Sequence, residues 1–246
     1  MTAASGASQL TLDEALQQTR TGDIWIFRGR SVADRAIQAV TNSPVNHVGM
    51  AVVLDDLPPL MWHAELGQSL QDVWSGGHHR GVQLHDLGEA VHRWHDVYKQ
   101  RAWVRQVIPE VGREQEDAVL RAIARWDGTP FPSTASLAWR WLRGRREFPE
   151  ALERAVGRPA TRVKRAQQLV QDVWGRVRGE EPTSADAITP TEKAYCAEVV
   201  AVTYEEMGLL PKDKPANWYD PGRFWSGDDL MLTPGWALSE EIAVAP

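Results

Sequence analysis

Apolar positions along this chain recur with two different periods. Short runs rich in β-branched and aromatic residues, Ile24–Phe27, Val45–Leu54 and Leu60–Leu66, predict strands. The second and third flank Asp55-Asp56-Leu57-Pro58-Pro59, a turn-forming stretch that makes them the arms of a hairpin. Shorter runs at Val82–Leu84 and Ala102–Ile108 predict further strands. Helical spacing appears over Thr11–Thr19, from a Ser31 cap to about Val40, over Glu114–Trp126, and over Cys196–Met207. Gly128 and Gly208 follow the last two and read as left-handed stops. No repeat and no Gly/Ser linker divides the chain, which reads as one domain over 1–246.

One stretch differs. Between Trp139 and Arg178 there are eleven Arg/Lys and four Asp/Glu, about +7 in a chain whose formal charge is −6. Val163, Ala166, Val170, Val173, Trp174 and Val177 share a helical face there, so residues 139–190 read as a helical basic insertion. Such a face can lie on an anionic membrane surface, through residues 139–178, or clamp an acidic substrate. More often it packs on a core and leaves its basic side in water, and that reading is preferred.

The acidic balance argues against a nucleic-acid partner. The longest purely apolar run, Val48–Leu54, falls far short of the roughly 20 residues that span a bilayer. A single cysteine, Cys196, rules out an intrachain disulfide, and the first twenty residues lack the basic start and apolar core of an export signal. A cytoplasmic setting is expected. Twelve tryptophans predict a Trp-rich core. All seven histidines lie between His47 and His95, yet none falls in a zinc-binding spacing, so neither a metal nor another cofactor is expected. Nucleophile-elbow, Walker and dinucleotide fingerprints are absent.

The remaining chemistry centres on Cys196. It stands where a polar connector gives way to an apolar helix, and a first-turn cysteine would feel the positive helix end that favours thiolate. The Cys196 backbone N–H would then face a developing oxyanion. A thiolate needs an imidazole partner, and His47, opening a strongly apolar strand, is the candidate. His63 and Glu65 share one face of the returning strand, and either can orient that imidazole.

The block TGDIWIFRGRSVADRAIQAVTNSPVNHVGMAVVL, followed by YCAEVVAVTYEEMGLL, resembles the permuted papain-like proteins related to NlpC, of the YiiX type. Gly128-Thr129-Pro130-Phe131 and Pro221 with Phe224 are further echoes. The likeness covers about residues 20–225, and histidine precedes cysteine as in the permuted members. It implies an α+β fold in which a small antiparallel sheet or half-barrel packs against the helix carrying the cysteine. It implies Cys196 as nucleophile, His47 as general base and His63, in its His-Ala step, as the orienting residue, with Glu65 as the alternative. Tyr195 and Phe131 match positions lining the oxyanion site or cleft. The implied activity is cysteine-dependent hydrolysis or acyl transfer on an amide, ester or thioester of a small-molecule, peptide or lipid acyl substrate. A non-catalytic binding module on the same fold is the alternative.

Overall fold

The structure is a computed structural model that describes residues 9–29, 44–65, 67–129, 190–228 and 230–246. The helix expected after Ser31, Phe131 and the basic insertion up to residue 189 lie outside the described residues, as does the Tyr195 side chain. The strands are β1 (Gln9–Thr11), β2 (Ile24–Gly29), β3 (His47–Val52), β4 (Leu60–Glu65), β5 (Gly81–Asp86), β6 (Gln100–Arg105), β7 (Val107–Ile108), β8 (Ala237–Leu238) and β9 (Ile242–Ala245). Among the described residues four α-helices accompany them: α1 (Leu12–Gln18), α2 (Leu87–His92), α3 (Arg113–Trp126) and α4 (Pro190–Glu206), with a π-helical turn at Arg93–Val97 continuing α2.

Seven strands form one open sheet in the order β1-β9-β6-β2-β3-β4-β5, antiparallel except for β1 on β9. The fold is mixed α+β, as expected, but its sheet is larger than the small one anticipated. The added strands come from the chain ends, where β1 and β9 are too short to carry a period. The apolar stretch after Ala102 divides at Gln106, and β7 pairs with β8 in a separate two-stranded sheet.

Local chemistry sets the element ends. Thr11 caps α1 in a reciprocal box, its hydroxyl accepting from Glu14 N (3.3 Å) while Glu14 Oε2 accepts from Thr11 N (2.9 Å). Gly128 and Gly208 close α3 and α4 at positive φ, +69° and +76°. Helix α4 starts at Pro190, six residues earlier than the apolar pattern indicates, because proline's fixed φ suits a first helical turn whatever its polarity.

Alternation along the strands divides the core in two. Ile24, Ile26, Val48, Met50, Val52, Leu60, Trp62, Ala64, Val82 and Leu84 face α3 and α4, in a cluster with Cys196, Val200 and Tyr204. Trp25, Phe27, Ala51, Met61, Ala102 and Val104 face α1, α2 and Trp94. With helices on both faces, β3 and β4 are buried along their whole length, which explains their near-continuous apolar runs. Trp25, Trp62 and Trp94 are among the largest fully buried side chains, so part of the tryptophan excess fills the core.

Candidate active site

Alternation also sends His47, His63, Glu65, Gln83 and His85 to the same side, that of α2 and Trp94. The printed register pairs Glu65 with Gly81, His63 with Gln83 and Met61 with His85. Continued from Met50–Trp62, it sets Gly49 beside His63 and His47 beside Glu65. The three imidazoles therefore step diagonally across β3, β4 and β5, one row per strand, and diagonal neighbours lie within reach of long side chains. Gly49 makes room for the step: a Cβ there would lie 2.9 Å from Met61 Cγ and 3.3 Å from His63 Cβ.

The rings form a hydrogen-bonded chain whose direction is set at its far end. Gln83 Nε2 donates to the carbonyls of Glu65 (3.1 Å), Gly81 (3.3 Å) and Gly67 (3.5 Å), so its Oε1 is the acceptor. His85 Nε2 donates to that oxygen at 3.0 Å and leaves Nδ1 bare. His63 Nε2 donates to His85 Nδ1 at 2.9 Å. His47 Nε2 donates to His63 Nδ1 at 2.8 Å, which puts the His47 lone pair on Nδ1. The His47 ring is fixed by stacking on Trp94, with centroids 4.0 Å apart and planes 17° from parallel.

Burial explains the electrostatics. Desolvation holds His63 well below the ordinary imidazole range, and His85 and His47 push the same way. Desolvation also takes His85 down to about 4, with Asp72 opposing it. Both rings are neutral at physiological pH, as the donor–acceptor chain requires. Glu65 is raised by burial, opposed by the Tyr98 hydroxyl that donates to its Oε1 at 2.9 Å. Its other oxygen, Oε2, lies 3.9 Å from His63 Nε2 and 3.7 Å from His85 Nδ1. The carboxylate thus approaches His63 and His85, while the partner of His47 in the chain is His63.

Cys196 is fully buried on the opposite side of the sheet. Trp62 Nε1 donates to Thr203 Oγ1 at 3.0 Å and so sets α4 against Met50, the partner of Trp62. Tyr204 donates to Gly22 O, and Gly22 N to Ala51 O, so the helix C-terminus lies at the Val52 end of β3. Seven residues back along the helix is about 10.5 Å. Three residues back along the strand, from Met50 to His47, is about 10 Å. Cys196 therefore stands at the height of His47, where β3 begins, but its side chain joins the α3–α4 core while the His47 ring stacks on Trp94.

The early helix start corrects one expectation. Cys196 is the seventh residue of α4, so its backbone N–H is not among the first four unsatisfied donors of the helix. The sequence reading also missed Gln83, His85, Trp94 and Tyr98. Gln83 and His85 carried a signal, because two polar residues at i and i+2 interrupt an apolar strand just as His63 and Glu65 do. His78, His92 and His95, by contrast, lie toward solvent.

These features define a mixed α+β protein with a buried histidine chain on one face of its sheet and a buried cysteine under the other. No protein-family model matches the chain, and no curated protein does. Among solved structures it is similar to the metalloprotein YiiX from Escherichia coli O157:H7 (DUF1105), at 26% identity and a TM-score of 0.35. The similarity covers 47% of this chain and 54% of that one, so the match spans about half of the YiiX chain. No described helix is long and apolar enough to cross a membrane.

Proposed function

We propose that the protein is a cysteine-dependent hydrolase or acyltransferase, with Cys196 as nucleophile, His47 as general base and His63 as the residue that orients His47. The observation that supports this is the one-way hydrogen-bond chain from Gln83 to His47, which leaves the basic lone pair of His47 on Nδ1. A base so oriented takes the proton of the Cys196 thiol as the sulfur bonds to the carbonyl carbon of an amide, ester or thioester. The imidazolium then gives that proton to the leaving group as its bond to carbon breaks. Water or a second acceptor, deprotonated by His47, attacks the acyl-enzyme and the thiol is regenerated. Sulfur and imidazole would meet at the end of the sheet where β3 begins, since their side chains leave on opposite faces.

A specific observation favours a second reading, a non-catalytic binding module on this fold: the thiol is fully buried in the apolar cluster under α4. Iodoacetamide labelling across pH separates the two. For the enzyme, Cys196 should titrate below the free-thiol value of about 8.5, and His47→Ala should slow labelling most near neutral pH. Cys196→Ala should abolish labelling and acyl transfer with the fold retained by circular dichroism. Labelling that tracks the free-thiol value and is unchanged in His47→Ala would leave the binding module.

A further inference from the structure

We propose that His63 Nε2, His85 Nδ1 and Glu65 Oε2 form a binding site for one divalent transition-metal ion of the zinc class. The three atoms are separated by 2.9, 3.9 and 3.7 Å. The triangle they define has a circumradius of about 2.1 Å, the length of a zinc bond to imidazole or carboxylate. An ion at its centre would lie within bonding distance of all three, once the His63 and His85 rings turn the nitrogens that now face each other toward it. Two imidazoles and one carboxylate are a donor set that suits zinc and neighbouring first-row ions rather than calcium or magnesium.

The atoms facing away from that centre are held as they are around protein-bound metals. Tyr98 donates to Glu65 Oε1 (2.9 Å), Gln83 Oε1 accepts from His85 Nε2 (3.0 Å), and His47 bonds His63 Nδ1 (2.8 Å). Each ligand is thus oriented by a different neighbour, and all three turn one donor atom inward. Burial adds a reason for a cation there: Glu65 is 1% exposed and has two neutral imidazoles beside its inner oxygen. The second cluster of ligand-type residues, Asp72, His79 and Asp127, is unlike this one. Both oxygens of Asp72 already accept bonds, Oδ1 from Leu84 N and Oδ2 from the Ser75 amide and hydroxyl, which pins the loop before β5.

The test uses the Cys196→Ala chain, so that no thiol can ligate and the outcome is independent of any role for Cys196. Protein made in zinc-supplemented cells and dialysed against metal-free buffer should retain about one zinc per chain by atomic absorption. Cobalt loaded in its place should give the visible bands of a low-coordinate nitrogen–oxygen site. Glu65→Gln keeps the shape of the side chain and should weaken zinc at least tenfold in competition with a chromogenic chelator. Gln83→Leu, which removes the support of His85 together with the bonds to the carbonyls of Glu65, Gly81 and Gly67, should weaken it about 10–100-fold. A variant with His78, His79, His92 and His95 all changed to Ala should keep its zinc. The proposal is overturned if the wild-type site takes up no zinc, if Glu65→Gln binds as tightly as its parent, or if His78, His79, His92 and His95 prove to hold the ion.

Discussion

Gly49→Ala tests the packing that lets the histidines approach one another. The new methyl would lie 2.9 Å from Met61 Cγ, 3.0 Å from its sulfur and 3.3 Å from His63 Cβ. Met61 is fully buried in the cluster with Ala51, Leu87 and Ala90, and helices cover both faces of the sheet, so neither side chain nor strand has room to yield. Overpacking of this kind costs about 1–3 kcal/mol. Losing the conformational freedom of a strand glycine returns about 0.5–1 kcal/mol. The net loss is up to about 2.5 kcal/mol and centred on about 1, or about 2–4 °C in Tm at that centre for a chain of this size. Calorimetry of four proteins checks it: wild type, Gly49→Ala, Met61→Ala and the double variant. Met61→Ala alone opens a cavity at about 2–5 kcal/mol. In the double variant the alanine methyl enters that cavity, so the combined loss should fall short of the sum by at least about 0.5 kcal/mol. The His63 contact survives in both alanine-49 proteins, and nitrogen-15 shifts of His47 and His63 should move in both. Additive losses, or imidazole shifts identical to wild type, would refute the proposed packing.

Two further substitutions probe other joints of the fold. Thr203→Val leaves the buried Trp62 indole N–H without its acceptor, which should cost about 1–3 kcal/mol, whereas Thr203→Ser keeps the hydroxyl and should recover most of it; equal losses in the two would sink the role given to this bond. Asp23 accepts from Val107 N and Arg20 N at 2.9 Å each, yet burial raises its pKa from 3.8 to about 6. Because the folded pKa lies above the unfolded one, the native state binds the extra proton, and stability rises as pH falls from about 6 toward 4. The free energy of unfolding of wild type relative to Asp23→Asn should therefore increase by about 2–3 kcal/mol between pH 7 and pH 4, and urea titrations giving a constant difference would contradict this.

The hairpin and the core strands were legible because burial on two faces leaves a dense apolar signal at His47–Val52 and Leu60–Glu65. The α4 start was not, because Pro190 to Tyr195 carry no apolar period and only proline's backbone geometry marks the boundary. That offset mattered chemically: it moved Cys196 out of the first turn, where the positive helix end acts most strongly. Gly49 looked like one more small residue in an apolar run until the register placed it beside His63. Diagonal contacts such as His63 to His85 depend on register and twist across a fifteen-residue connection, and no local pattern encodes them.

His63 is the residue on which both proposals bear, and its two nitrogens cannot satisfy both at once. In the metal-free chain Nε2 carries the proton and donates to His85, so Nδ1 accepts from His47 and the His47 lone pair stays on Nδ1. A cation on Nε2 needs the lone pair there and moves the His63 proton to Nδ1. The bond to His47 then reverses: His47 Nε2 becomes the acceptor, and the His47 proton sits on Nδ1, where the thiol proton would have gone. The ring positions need not change, because a donor and an acceptor exchange places along the same 2.8 Å line. A chain of three neutral imidazoles has two such directions. The Gln83 amide selects one, and an ion held by Glu65, His63 and His85 would leave His85 as it is and reverse His63 and His47.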